Sequence, residues 1–450
     1  MPKANPYYIC SKCDAQSPKW SGRCLSCGTW GSIGKEPITP NAERITNNVK
    51  LTNPGEVRSF SGLDESVGRK LMPTGLVALD DVLGGGLVAG SATLIAGEPG
   101  MGKSTLLSQA ALAAAERGLK VIFVTGEESP AQIQLRLSRL AKDVSSLLGY
   151  LDDTRADVIA ATLEAEKPGL LIVDSIQSLT TEQASGEAGS VSQVKACAAI
   201  LTQAAKKTGV PVILVGQVTK DGEIAGPRVL EHVVDTVLSL EGDKLHRFRV
   251  LRAIKHRFGS TDETALLDMR EDGLHIITDP SSALLDTRSS AAAGSVVGCV
   301  LEGRRPLLVE LQALVTAAGY SAPVRKATGF DAPRLNMLLA VLTRHANVAV
   351  YDKDVFANVA GGLAVRDPGA DLALAAAIAS AVRNKPMDAK TAYFGEIGLT
   401  GELRPVALPE LRLKEIARMG FKTVICPIIK NAPTSGLEII QFKSVREALG

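Results

Sequence analysis

Eight consecutive residues, Gly97, Glu98, Pro99, Gly100, Met101, Gly102, Lys103 and Ser104, fit the phosphate-loop pattern G-x-x-x-x-G-K-[ST] without a mismatch. Each residue type has a chemical reason to be there. Glycines let backbone N–H groups converge on an anion, a lysine reaches the β- and γ-phosphates, and a serine hydroxyl holds Mg²⁺. The apolar run at 92–96 reads as a strand, and the alanine- and leucine-rich run that begins at Thr105 reads as a helix. The loop therefore sits at a helix N-terminus, which favours negative charge. Residues 97–105 are the candidate nucleotide-binding set, and the nucleotide expected is ATP.

From about residue 71 the chain alternates short apolar strands with longer helices, the pattern of a parallel sheet covered on both faces. The run at 121–124 ends in Thr125, Gly126, Glu127, Glu128 and Ser129. The run at 170–173 ends in Asp174 and Ser175, and that at 212–215 ends in Gly216 and Gln217. An open α/β sheet binds its ligand at these C-terminal ends. Asp174 would support Mg²⁺ through water, in the manner of a Walker B aspartate. Either Glu127 or Glu128 would orient or deprotonate the water that attacks the γ-phosphate. Gln217 would sense that phosphate and relay hydrolysis to the following loop. Further on, residues 244–257 carry Lys244, Arg247, Arg249, Arg252, Lys255 and Arg257 and no acid. Read with period two, Arg247, Arg249, Lys255 and Arg257 share one strand face. Phe248, Val250, Ile254 and His256 share the other.

Four of the seven cysteines, Cys10, Cys13, Cys24 and Cys27, are spaced C-x2-C-x10-C-x2-C. Two such knuckles turn four thiolates toward one point, which is a closed, structural Zn²⁺ site; two disulfides are the alternative. So short a segment has no hydrophobic core of its own, and metal binding supplies its folding energy. Trp20 and Trp30, with Lys12, Lys19 and Arg23, either contact nucleic acid or a partner protein or pack around the metal. Cys197, Cys299 and Cys426 stand in apolar contexts and read as buried small residues.

A chain of 450 residues, 45% hydrophobic, holds two or three domains, each long enough to bury a core. Aromatic residues make up 4%, so aliphatic side chains must do the packing. A net charge of +2 exerts no global pull on nucleic acid or membrane, so any DNA contact rests on local patches. No apolar run approaches 18 residues and the first residues have no signal-peptide core, so a cytoplasmic protein without membrane contact is expected.

The Cys₄ motif, Leu83, Gly84, Gly85, Gly86 and Leu87 ahead of the phosphate loop, the turn at 125–129, and the pentapeptide Lys255-His256-Arg257-Phe258-Gly259 resemble the bacterial RadA (Sms) family of RecA-related DNA repair ATPases. The pentapeptide is usually K-N-R-F-G in that family, so His256 is a departure. The resemblance implies a homo-hexameric motor on single-stranded DNA that promotes branch migration of recombination intermediates, with a RecA-type recombinase as partner. By analogy with ring ATPases, Lys255 and Arg257 would reach a neighbouring subunit's γ-phosphate and stabilise transition-state charge. A RecA- or KaiC-type ATP switch acting on a protein partner is the competing reading.

Residues 395–404 and 420–424 resemble the proteolytic domain of Lon, which uses a Ser–Lys dyad. Ala370 falls at the serine position, so there is no nucleophile to activate. The lysine position maps to Glu410 without a gap and to Lys414 after a small shift. The fold class expected is α/β: a RecA-like parallel-sheet ATPase core, a small N-terminal zinc module and an α+β Lon-protease-like C-terminal domain. The bounds expected are 1–34 for the zinc module, 35–70 for a linker and 71–280 for the ATPase domain. A second linker at 281–293 and the catalytically inactive Lon-like domain at 294–450 follow. Arg304, Arg305, Arg325, Lys326 and Arg334 of that domain are candidates to line a DNA path.

Overall fold

The computed structural model describes residues 8–12, 15–34, 71–217, 227–242, 248–286, 288, 292–319, 322–430 and 436–450. The chain divides into two compact units, Met1–Asp64 and Glu65–Gly450. Cys13, Lys244, Arg247 and the linker expected at 35–70 lie outside the described residues.

In the first unit the strands Tyr8–Ile9 and Gln16–Ser17 pair antiparallel, and isolated bridges join Cys10 to Ile33 and Arg23 to Trp30. Its buried hydrophobic cluster is Cys10, Cys24 and Ile33, with Tyr8 and Ala15 against it. Such a cluster cannot offset the chain entropy lost on folding. The Sγ atoms of Cys10, Cys24 and Cys27 all lie within 4.8 Å of one another, and Cys10 and Cys27 are 3.8 Å apart. A tetrahedral Zn²⁺ site with Zn–S bonds of about 2.3 Å has sulfur–sulfur edges of about 3.8 Å, so these thiols fit that ion. The tryptophans do not pack around the cluster: Trp20 is 49% exposed and Trp30 75%.

In the second unit a nine-stranded sheet has the strand order Gly273–Ile276, Thr264–Arg270, Phe248–His256, Thr236–Gly242, Ala92–Gly97, Val212–Gln217, Leu170–Asp174, Val121–Thr125, Leu148–Leu151. The last six run parallel and the first three return antiparallel. The parallel strands are aliphatic because helices cover both faces. Helix Lys103–Glu116 packs into the apolar cluster of one face; helices Ala156–Glu166 and Val191–Thr208 pack into that of the other.

A seven-stranded sheet follows, ordered Arg325–Thr328, Lys353–Val359, Arg305–Ala317, Ser295–Glu302, Thr391–Tyr393, Thr423–Pro427, Glu438–Phe442. Its central helix, Asp371–Arg383, is buried along most of its length, and its alanines let it lie close to the sheet. The linker expected at 281–293 is instead opened by a helix, Pro280–Leu285, capped by the Asp279 carboxylate at 3.1 Å from the Ser282 N–H. Fully buried Ser281 accepts the Leu308 N–H at 3.1 Å. The two sheets also share apolar packing: Val250 and Leu266 of the first lie in one cluster with Leu284, Val296 and Val309.

The basic strand corrects the two-face reading. Arg249 is buried and shares its face with Leu251 and Ala253, which pack into the first sheet's core. A bulge at Ile254, opposite Val237 and Leu238 of the partner strand, shifts the register, and Ile254 turns outward. Both faces of this strand are covered because the second sheet packs on one of them. Arg252 meets Glu302 at 3.0 Å and Glu241 at 3.4 Å, and Arg366 meets Glu241 at 3.0 Å, so an ion-pair seam joins the two sheets. Among the described residues no helix is long and apolar enough to cross a membrane.

Two outcomes are expected. Metal chelation, or Cys24→Ala, unfolds the first unit, read as rapid proteolytic cleavage within residues 8–34, while the main thermal transition of the second unit stays in place. Arg334→Met strands the fully buried Asp371 carboxylate, which Arg334 contacts at 2.8 Å, and lowers stability in urea by about 3 kcal/mol. The double variant Arg334→Met/Asp371→Leu recovers most of that loss.

Candidate functional site

The parallel strands deliver the site to one edge of the sheet. Gly97 is in register with Gln217, and Thr125 with Asp174, so the phosphate loop, Gln217, Asp174 and the turn at 126–128 lie side by side. Gly97 is required sterically: a Cβ there would stand 2.5 Å from the Leu240 carbonyl oxygen. Gly102 caps helix Lys103–Glu116 with φ of 97° and no side-chain hydrogen bond. A β-carbon there would both strain the backbone and meet Met269 Cε at 2.3 Å. The helix's first N–H groups thus face the loop without a side-chain cap, as anion binding requires. Lys103 is buried, and its Nζ donates to the carbonyls of Gly97 at 2.8 Å and Glu98 at 2.9 Å. Glu98 is half-buried, Pro99 and Gly100 are exposed, Met101 is buried, and Ser104 and Thr105 are half-buried in the helix's first turn.

Behind the loop, Ser104, Thr125, Glu127, Glu128 and Asp174 line a cavity of about 20 Å³ closed by Phe123 and Ile133. That is room for one water- or ion-sized occupant. Burial pushes the Asp174 carboxyl above its usual range, the Ser104 hydroxyl and Arg136 pull it back, and Glu127 and Glu128 push it up again. The oxygen-only donor set suits a hard divalent cation such as Mg²⁺.

The two adjacent glutamates, equivalent by sequence, differ in surroundings. Glu127 accepts a hydrogen bond from the Ser175 hydroxyl, and the Gln217 amide donates to both its oxygens at 3.1 Å. Glu128 is paired with Arg136, and its backbone carbonyl accepts the Thr125 hydroxyl. Ser175 and Arg136 had no role in the sequence reading. Arg136 lies on the next helix, Pro130–Leu140, and only the fold brings it back.

Lys255 and Arg257 are not in this site. Thr236 is in register with Thr93 on one side and His256 on the other, so the pentapeptide begins at the far end of the phosphate-loop strand. Four residues of strand separate those ends, about 13 Å before the loop begins. There Lys255 Nζ donates to the carbonyls of Glu231 and Val234, the latter at 2.8 Å, and Arg257 meets buried Asp235 at 3.0 Å. Burial, then the neighbouring Arg257, lowers the Lys255 pKa. His256 lies 3.2 Å from the Thr236 hydroxyl through Nδ1 and 3.2 Å from the Leu83 carbonyl through Nε2. Nε2 must donate to that carbonyl, which leaves Nδ1 to accept from Thr236 in the neutral ring. One donor and one acceptor are also what an asparagine amide offers.

In the second sheet's domain Ala370 is fully buried beside the N-terminus of helix Asp371–Arg383. Glu410 and Lys414 are exposed on helix Pro409–Arg418, so neither candidate for the dyad lysine faces Ala370. The inward cation is Arg412. It is fully buried, 2.7 Å from Asp367, and donates to the Cys299 carbonyl at 2.6 Å with the Phe394 ring 5.7 Å away. The sequence reading passed over it because its position in the helix, between the two candidates, shows only in the burial pattern. Among the suggested DNA-path cations, Arg304, Arg325 and Lys326 are exposed, whereas Arg334 is committed to Asp371 and Arg305 donates to the Thr278 carbonyl at 2.9 Å. Cys197, Cys299 and Cys426 are all fully buried, which pushes their thiols up to about 11, 12 and 12.

Three families match consecutive parts of the chain. Residues 8–35 match the rubredoxin metal binding domain, 68–223 an AAA domain, and 338–430 the family described as subunit ChlI of Mg-chelatase. Full-length relatives named DNA repair protein RadA are 43% identical in Aquifex aeolicus, 40% in Bacillus subtilis and 44% in Pseudomonas aeruginosa. Each alignment covers 100% of this chain and 99% of the relative. With its zinc ribbon, its ATP-binding sheet and its Lon-like domain in the same order, the chain belongs to the DNA repair protein RadA family.

Proposed function

We propose that the protein is a DNA-dependent ATPase that works as a homo-hexameric ring on single-stranded DNA, promoting branch migration of recombination intermediates alongside a RecA-type recombinase in the cytoplasm. One observation carries this reading. The residues suited to bind and cleave a nucleotide converge on one edge of the sheet, while Lys255 and Arg257 stand at the opposite end. Cations in that position meet a γ-phosphate only if it belongs to another copy of the chain, so the site is completed by assembly.

Within one site each residue has a task. The loop at 97–102 and Lys103 hold the β- and γ-phosphates. Ser104 directly, and Asp174 through water, would hold Mg²⁺, which neutralises charge on the phosphates during transfer. Glu127 orients the attacking water and accepts its proton, because its oxygens face Gln217 and Ser175, whereas Arg136 occupies Glu128. Gln217 links Glu127 to the segment beyond its strand, to which it relays hydrolysis. The second domain is a scaffold without peptidase activity. Ala370 supplies no nucleophile, and the inward Arg412 is committed to Asp367 and the Cys299 carbonyl.

The test is ATP hydrolysis with and without single-stranded DNA, alongside strand movement on a branched substrate. Stimulation by DNA with strand movement is expected; neither would turn the reading to an ATP switch acting on a protein partner. Glu127→Gln should lower the hydrolysis rate about 100-fold or more with ATP binding retained, and Glu128→Gln much less. Equal losses would count against the assignment of the base. Arg257→Ala should cut DNA-stimulated hydrolysis by about 1000-fold and leave zinc content unchanged. A wild-type rate in that variant removes the trans-acting role.

A further inference from the structure

We infer that the zinc-ribbon unit carries a stacking site for unpaired nucleobases at Trp30, beside Arg23, in a unit whose Trp20, Lys19 and Lys12 are also exposed. The inference rests on the single-stranded DNA reading above and adds a second point of contact to it.

The surface is unusual for so small a unit. Trp30 is 75% exposed, Trp20 49% and Leu25 89%, although the unit has few apolar residues to spare for its core. Both indoles are therefore available to an incoming ligand. The Trp30 ring is already positioned. The Arg23 guanidinium lies 5.9 Å from its centroid and is itself held by the Gly28 carbonyl at 2.9 Å. The ring also lies beside Gly22, where a Cβ would be in ordinary contact with its edge at 3.8 Å. A ring ordered before binding loses little rotamer freedom on contact.

The charges point to a polyanion. Lys12, Lys19 and Arg23 are exposed, and Asp14 is the sole acid in the sequence from 8 to 34. Cations that follow a phosphate backbone, with aromatic faces on which bases stack, form the usual sequence-tolerant platform for single strands. Every base has a π-face, so this surface needs no hydrogen-bond code. A duplex keeps its bases stacked on each other and offers the indoles nothing.

The chain has two tryptophans in all, and both lie in this unit, so intrinsic tryptophan emission of the full-length protein reports on this unit alone. A fluorescein-labelled oligothymidylate is titrated into the zinc-loaded protein, following anisotropy of the label and, with unlabelled strand, tryptophan emission. Saturable quenching with the same midpoint as the anisotropy is expected, and duplex DNA of equal length should not quench. Trp30→Ala should weaken oligothymidylate binding by about fivefold or more, and Trp30→Phe should restore most of it, with zinc content equal in all three proteins. Rising anisotropy with unchanged emission would mean that DNA binds elsewhere, which overturns this inference and leaves the proposed function standing. No rise in anisotropy overturns both. Unchanged affinity in zinc-loaded Trp30→Ala removes the stacking role.

Discussion

The two pairings of strand Thr236–Gly242 organise most of the second unit. On one side it runs parallel to the phosphate-loop strand, and its Leu240 carbonyl comes so close that position 97 tolerates only glycine. On the other it pairs antiparallel with Phe248–His256, which brings the chain back toward the start of the phosphate-loop strand and leaves Lys255, His256 and Arg257 there. The same antiparallel strand packs Leu251 and Ala253 into the first core and Val250 into the second. One reversal of direction therefore separates the cations from the nucleotide edge and joins the two sheets. Had the strand run parallel, its basic end would have faced the phosphate loop of its own chain.

Charge burial follows the same division of labour. Where the sheets meet, Arg252 lies between Glu241 and Glu302, and Glu241 also binds Arg366. Burial raises the Glu302 carboxyl and Arg252 opposes that rise, so the seam is held by mutual compensation and depends on all its members. In the Lon-like domain the interior arginine Arg412 ties Asp367 and the Cys299 carbonyl together beside Ala370. A place where a family resemblance suggests catalysis is here occupied by a structural ion pair. At the nucleotide edge the balance differs. Asp174 is raised by burial and surrounded by two further carboxylates, which leaves the cavity short of positive charge and ready for a cation.

The parallel strands, the phosphate loop and the cysteine knuckles were legible because each is a local pattern: an aliphatic run, eight residues of fixed type, or paired thiols two apart. The helix at 280–285 was missed because Pro, Ser and Ser look like linker chemistry, yet Asp279 caps the turn and Ser281 is buried by the next strand. The faces of the basic strand were misassigned because a bulge at Ile254, and a second sheet remote in sequence, decided which side was covered. Trp20 and Trp30 stood open between two readings, since exposure is a property of the folded unit.

By itself the sequence determined that the chain binds a nucleoside triphosphate and a metal, since both depend on residues within about 20 positions of each other, where spacing alone sets geometry. Tertiary structure alone decided which glutamate faces Gln217, that Arg412 and neither Glu410 nor Lys414 turns inward, and that Lys255 and Arg257 stand away from their own nucleotide edge. Those outcomes depend on strand order, strand direction and helix phase. The packing of residues far apart in sequence sets them, as in the hydrogen bond between His256 and Leu83, 173 positions apart, and no local pattern encodes it.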